Sequence, residues 1–133
     1  REEIIIDNSK KRKEIKNTFT FKSDKFQLIE NYIQDNLCYL DPNYSLDKLS
    51  IDLKMSTSLL SQTINSESKT NFSDYINSLR VKKAKELLTS VEFKNYTIIA
   101  IGLECGFNSK STFYLSFKKF TNTTPTEYRN KKG

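Results

Sequence analysis

The chain contains no histidine, so the commonest general base and the commonest metal ligand are both missing. Its two cysteines, Cys38 and Cys105, stand far apart without a CxxC partner and suggest neither a zinc site nor a disulfide framework. What remains for chemistry is hydroxyl, amide and ammonium groups on two stretches of helical spacing. Ser58, Ser61 and Gln62 occupy the exposed positions of the first, which Leu60 and Ile64 hold down; Lys110, Ser111, Tyr114 and Leu115 occupy those of the second, held down by Phe113, Phe117 and Phe120. Such groups can recognise by hydrogen bonding, and without a base beside them none is activated as a nucleophile. Gln62 can pair with adenine N6 and N7, Lys110 can donate to guanine O6 and N7, and the serines specify weakly because they donate or accept. Leu115 can only touch a thymine methyl or turn inward. Lys118, Lys119 and Arg80 offer positive charge to phosphate oxygens, and for Arg80, on the helix between the two stretches, bracing the two units against each other is an equally open role. No nucleophile–base pair, metal cluster or phosphate loop is visible, so neither an enzyme nor a bound metal or cofactor is expected.

Two short helix pairs must position these groups. In the second, Ile98, Ile101 and Cys105 share a helical face, and Gly106 ends that helix because glycine enters the left-handed conformation freely. Asn108 can cap the next helix. A helix pair with so short a turn can present its second helix to the DNA major groove. The same arrangement occurs earlier in the chain. Leu46, Leu49, Ser50, Leu53 and Met55 stand 52 residues before Ile98, Ile101, Gly102, Cys105 and Phe107, while Leu60 and Ile64 stand 53 before Phe113 and Phe117. The first turn is therefore one residue shorter, and Lys54 holds the place of Gly106, which calls for a looser turn or some strain.

The spacing predicts an all-α fold of about seven helices, two helix-turn-helix units joined by a long linker helix. The first unit spans 45–67 with Ser45 as its cap, the linker helix 71–90, the second unit 97–121 and a C-terminal helix 125–131. A first helix from Asp24 to Asn36 precedes them, followed by a turn at Asp41-Pro42-Asn43. The linker helix, about 20 residues and about 30 Å long, acts as a spacer of fixed length. Thr124-Pro125-Thr126-Glu127 forms a capping box with proline at the first helical position. Residues 1–23 lack an amphipathic period and read as a linker or the end of an upstream domain; residues 24–133 read as one DNA-binding domain.

Charge supports this division. Lys plus Arg is 22 and Asp plus Glu 16, a net of +6, distributed as +3 over residues 1–23, −3 over 24–65 and +6 over 66–133. Any grip on a polyanion should come mostly from the C-terminal half. The cysteines read as reduced thiols in the core, which fits the cytoplasm. No stretch approaches the roughly 18 apolar residues of a membrane span, and no signal-peptide pattern opens the chain, which begins at Arg1 as an excised or processed fragment would.

The run Gly102-x3-Gly106-Phe107-x-Ser109-x-Ser111-x-Phe113-x3-Phe117-Lys118-Lys119-x5-Pro125-x2-Tyr128-Arg129 resembles the C-terminal signature of the AraC/XylS family of bacterial transcription regulators. The resemblance is close over residues 44–129 and loose over 24–43. It implies sequence-specific binding of double-stranded promoter DNA by two recognition helices in adjacent major-groove segments. The seven positions named above for base contact match those that contact bases in the family. It further implies RNA polymerase as a partner, an upstream sensor or dimerisation domain, and a place in the cytoplasm at the nucleoid, with tethering to the inner membrane open. The pattern departs at Lys69 and Asn122, where glycine is usual, at Gly102, where alanine is usual, and in a loop at 91–97 about three residues longer than the family's. Gly102 should weaken its helix by about 1 kcal/mol relative to alanine. The alternative reading, from another class, is a basic helical module that binds an acidic protein; salt-dependent DNA binding without sequence preference would favour it.

Overall fold

The computed structural model describes residues 23–132, and every regular element among them is helical. The linker expected over 1–23 lies outside the described residues except for Ser23. That serine opens the first helix, α1 (Asp24–Asp35), its side chain accepting from the Phe26 N–H at 3.1 Å. Phe26, Ile29 and Ile33 form its buried stripe. After Leu37, in the left-handed region at φ 53°, the chain makes a single 3-10 turn at Cys38–Leu40 that periodicity does not predict. Three residues are too few to display a period. The turn expected at Asp41 follows, with the Asp41 carboxylate accepting from the Asn43 N–H at 2.9 Å.

α2 (Leu46–Leu53), capped by Ser45, and α3 (Thr57–Ser68) complete a first core around Leu49, Leu60 and Ile64, each fully buried. α4 (Phe72–Leu88) is capped by Asn71, whose side chain accepts from the Asp74 N–H at 2.8 Å. It is shorter than expected: 17 residues, hence about 25 Å. Thr89 and Ser90 leave the helix, and the Ser90 hydroxyl turns to cap a 3-10 turn at Val91–Phe93. α5 (Ile98–Glu104), α6 (Lys110–Thr121) and α7 (Pro125–Lys132) enclose a second core built on Ile101, Phe107, Phe113 and Phe117. Burying an aromatic or aliphatic side chain of this size contributes about 1.5–3 kcal/mol. The capping box is present in both directions, with Thr124 N–H donating to Glu127 Oε1 and Glu127 N–H to Thr124 Oγ1, each at 3.1 Å. The Thr124 N–H, and next to it the Thr123 hydroxyl, donate to the Glu127 carboxylate, favour its charged form and hold its pKa below the usual value.

α4 serves both cores. Tyr75 and Ile76 face the first; Val81, Ala84, Leu87 and Leu88 face the second. Cys38 and Cys105 are free thiols, one in each core, and burial pushes the Cys105 thiol up to about 12. No helix among the described residues is long and apolar enough to cross a membrane.

Candidate nucleic-acid interface

Each helix pair is closed by the same hydrogen bond. Met55 N–H donates to Ser50 O at 3.2 Å in the first, and Phe107 N–H donates to Gly102 O at 3.1 Å in the second. In both, the residue before the donor is left-handed: Lys54 at φ 57° and Gly106 at φ 99°. Of the two possibilities for Lys54, strain is the one realised, at roughly 1–2 kcal/mol for a residue with a Cβ. The Ser50 hydroxyl adds a bond to the Met55 carbonyl, which reinforces the turn that lysine strains. Lys69 and Asn122, which replace the usual glycines after α3 and α6, are also left-handed, at φ 63° and 62°.

The caps require one correction. Ser56 opens α3, accepting from Leu59 N–H, and its counterpart for α6 is Ser109, accepting from Thr112 N–H, both at 3.1 Å. Asn108 is instead the extra residue of the longer turn. Both residue types cap helices, and only the turn geometry selects between them.

Gly102 also sits at a close crossing of two helices. A Cβ there would lie 2.5 Å from Phe113 Cδ2 and 2.9 Å from Phe113 Cγ. The Phe113 ring is fixed by Phe107, with ring centroids 5.1 Å apart, and by Phe117 at 5.9 Å. Glycine at this position lets α5 approach α6 closely, so the residue does more than lower helix propensity.

On α3, Ser58 and Gln62 are exposed and Ser61 is half-buried. They line one shallow groove together with Leu46, Thr57, Asn65 and Ser66. Asn65 and Ser66 were missed as candidates, although they stand three and four residues after Gln62 and so belong to the same helical face. On α6, Lys110, Ser111 and Leu115 are exposed. Leu115 points outward and is 73% exposed, which removes the inward alternative. Tyr114 is half-buried: its hydroxyl lies 3.4 Å from Thr126 Oγ1 of α7, and the Lys110 ammonium lies 5.4 Å from its ring centroid, within cation–π range.

The charge is unequally shared. α6 carries Lys110, Lys118 and Lys119 with no acidic residue, whereas the only charged side chain of α3 is Glu67. Lys118 is exposed. Lys119 is committed to an ion pair with Asp74 of α4 at 2.8 Å, so it must exchange that partner to reach a phosphate. Arg80 does not meet the expectation of a phosphate contact. It is only 8% exposed, with Nε donating to Tyr39 O at 2.7 Å, Nη2 to Asp41 O at 2.9 Å and Nη1 to Asn77 Oδ1 at 3.0 Å. Each of its three nitrogens donates inside the protein, which is the bracing role rather than the phosphate one. Arg129 holds the loop before α5 in a similar way, donating to Tyr96 O at 2.8 Å and Phe93 O at 3.0 Å.

Paired turns of this geometry, each followed by a serine-capped helix, define a double helix-turn-helix module. A family model described as a helix-turn-helix domain matches residues 49–131. The C-terminal domain of the two-component response regulator yesN from Fusobacterium nucleatum is 36% identical, with a TM-score of 0.66 over 80% of this chain and 99% of that one. The C-terminal domain of AraT, a response regulator from Geobacillus stearothermophilus, is 26% identical, with a TM-score of 0.71 over 84% and 88%. An uncharacterised HTH-type transcriptional regulator of Staphylococcus aureus (strain MSSA476) is 32% identical over 113 residues, 85% of this chain. The chain spans only 14% of that relative's length. The chain belongs to the AraC-type helix-turn-helix family of bacterial transcription regulators, whose domains bind DNA and are not in general enzymes.

Proposed function

We propose that this domain reads promoter DNA sequence-specifically for a longer regulator, placing α3 and α6 in adjacent major-groove segments about one helical turn apart. The observation that carries this reading is the repetition of one hydrogen-bonded turn, Ser50 to Met55 and Gly102 to Phe107, each followed by a helix with a polar outer face. Gln62, Ser58 and Ser61, extended by Asn65 and Ser66, read bases in one segment; Lys110, Ser111, Tyr114 and Leu115 read the other. Lys118 and, after leaving Asp74, Lys119 take phosphates. The remainder of the full-length protein supplies sensing or dimerisation, RNA polymerase is the downstream partner, and the site of action is the nucleoid, with any membrane tether lying outside this domain.

Footprinting tests the reading on three DNAs: the natural spacing, an insertion of about 5 base pairs, and an insertion of a full turn, which adds about 34 Å. Two protected segments are expected on the first DNA and one on each of the others. Recovery of both segments at the full-turn insertion refutes a rigid pair. Binding should also weaken with salt, with a log-log slope of about −4 to −7, since each neutralised phosphate contributes about −0.9. A slope near zero removes DNA from the reading.

A further inference from the structure

A helix of fixed length does not by itself fix two units, because each can pivot about the loop that joins it to the helix. The loop from α4 to α5, residues 89 to 97, is itself held by Arg129, and α4 lends Val81, Ala84, Leu87 and Leu88 to the second core, so what is left to fix is how the first unit meets the second across the middle of α4. What lies between the units is Arg80. Its guanidinium ties the spacer helix to the carbonyls of Tyr39 and Asp41, 41 and 39 residues away, in the segment that leads into the first unit and packs against its core through Tyr39. The same guanidinium lies over the ring of Phe107 in the second unit, 5.8 Å from the centroid. Gly106 closes the contact from the other side. A Cβ on it would lie 2.3 Å from Tyr39 O and 3.0 Å from both Arg80 Nε and Leu40 Cα. The turn of the second unit thus rests directly on the 3-10 turn that precedes the first unit and adjoins its core. Burial disfavours the charged arginine, and the nearby Asp41 charge offsets part of that cost. The Asp41 carboxylate itself is turned toward Lys48, 3.6 Å away. A buried cation held by carbonyl oxygens is directional, because each donor of the planar fork must meet its own acceptor.

We propose that Arg80 is the positioning residue that fixes the angle between the two recognition helices, and so sets the spacing of DNA segments the domain accepts. The proposal rests on the reading that both units enter the major groove. Adding or removing one base pair rotates one segment against the other by about 36° and shifts it by about 3.4 Å, which a locked pair cannot follow.

The experiment uses the 133-residue chain and a duplex that it selects from a random-sequence pool. Affinity is measured on that duplex, on versions one base pair longer and shorter between the segments, and on a duplex keeping only one segment. For the unaltered protein, a one-base-pair change should cost about tenfold, the scale of one mismatched base pair. Arg80→Met should bind all three spacings within about twofold of one another while keeping its single-segment affinity within about twofold, since the base contacts are untouched. Arg80→Lys keeps the charge but cannot bridge two carbonyls in a fixed plane, so it should lose at least half of the spacing discrimination on a logarithmic scale. It decides the matter if Arg80→Met does not fold. Undiminished discrimination in folded Arg80→Met, or in Arg80→Lys, overturns the positioning role and leaves the two-segment reading intact. An unaltered protein that protects one segment and ignores spacing overturns both.

Discussion

Replacing Gly106 by alanine puts a methyl group where the structure leaves room for a hydrogen only. Two costs arise. At φ 99° a side chain is strained by roughly 1–2 kcal/mol. The new Cβ would stand 2.3 Å from Tyr39 O, so that carbonyl must retreat by about 1 Å to reach an ordinary contact. Tyr39 O accepts from Arg80 Nε at 2.7 Å, and losing a hydrogen bond to a charged group costs about 1.5–3 kcal/mol. The expected destabilisation is roughly 2.5–5 kcal/mol, a large part of the roughly 5–15 kcal/mol that holds a domain folded. Urea unfolding followed by circular dichroism measures it. Position 54 supplies the comparison, because a left-handed residue with a side chain is already tolerated there. Lys54→Ala should change stability by less than about 0.5 kcal/mol, and Lys54→Gly should gain up to about 1 kcal/mol by relieving the strain. If Gly106→Ala falls within about 0.5 kcal/mol of the unaltered protein, the close contact between the two turns does not exist in solution.

Gly102→Ala should recover none of the gain of about 1 kcal/mol that helix propensity alone promises, because its methyl group meets the fixed ring of Phe113. In the Phe113→Leu background the same change should become more favourable, and a double-mutant cycle with no coupling would refute the contact. Asp74→Asn frees Lys119 and should strengthen binding to random DNA, steepening the salt slope by up to about 0.9, as read by fluorescence anisotropy; an unchanged slope would mean that Lys119 faces no phosphate. Gln62→Ala and Lys110→Ala should each cost about 1–3 kcal/mol on the selected site and much less on random DNA, and equal losses on both would reassign them to the backbone.

Where the fold was legible in the sequence, local chemistry wrote it. Ser45 and the Thr124–Glu127 box mark helix starts through bonds that span three residues, and Phe113 with Phe117 marks a buried stripe by spacing alone. Ser109 and Asn108 are both capping types in neighbouring positions, so pattern could not separate them. The 3-10 turn at Cys38–Leu40 is too short to show a period. For Arg80 the bracing role was open from the sequence, but which of its two roles is realised, and the partners, were not. The carbonyls it binds are 39 and 41 residues away, and any backbone carbonyl looks the same in a sequence. The tight crossing at Gly102 is likewise a fact about two helices, invisible in the one that carries the glycine. Along α3, in contrast, Asn65 and Ser66 were available to the same spacing argument that found Gln62.

The helix shared by the two cores has one further consequence. Tyr75 and Ile76 wall one core and Val81 to Leu88 the other, so cutting the chain near residue 78 leaves the pieces about two and about three turns of α4. A helix that short does not persist alone, and each piece would also lose the far end of the wall that steadies its own half. A rearrangement that splits α4 should therefore leave neither half folded, so the domain is expected to pass from one regulator to another as a single piece.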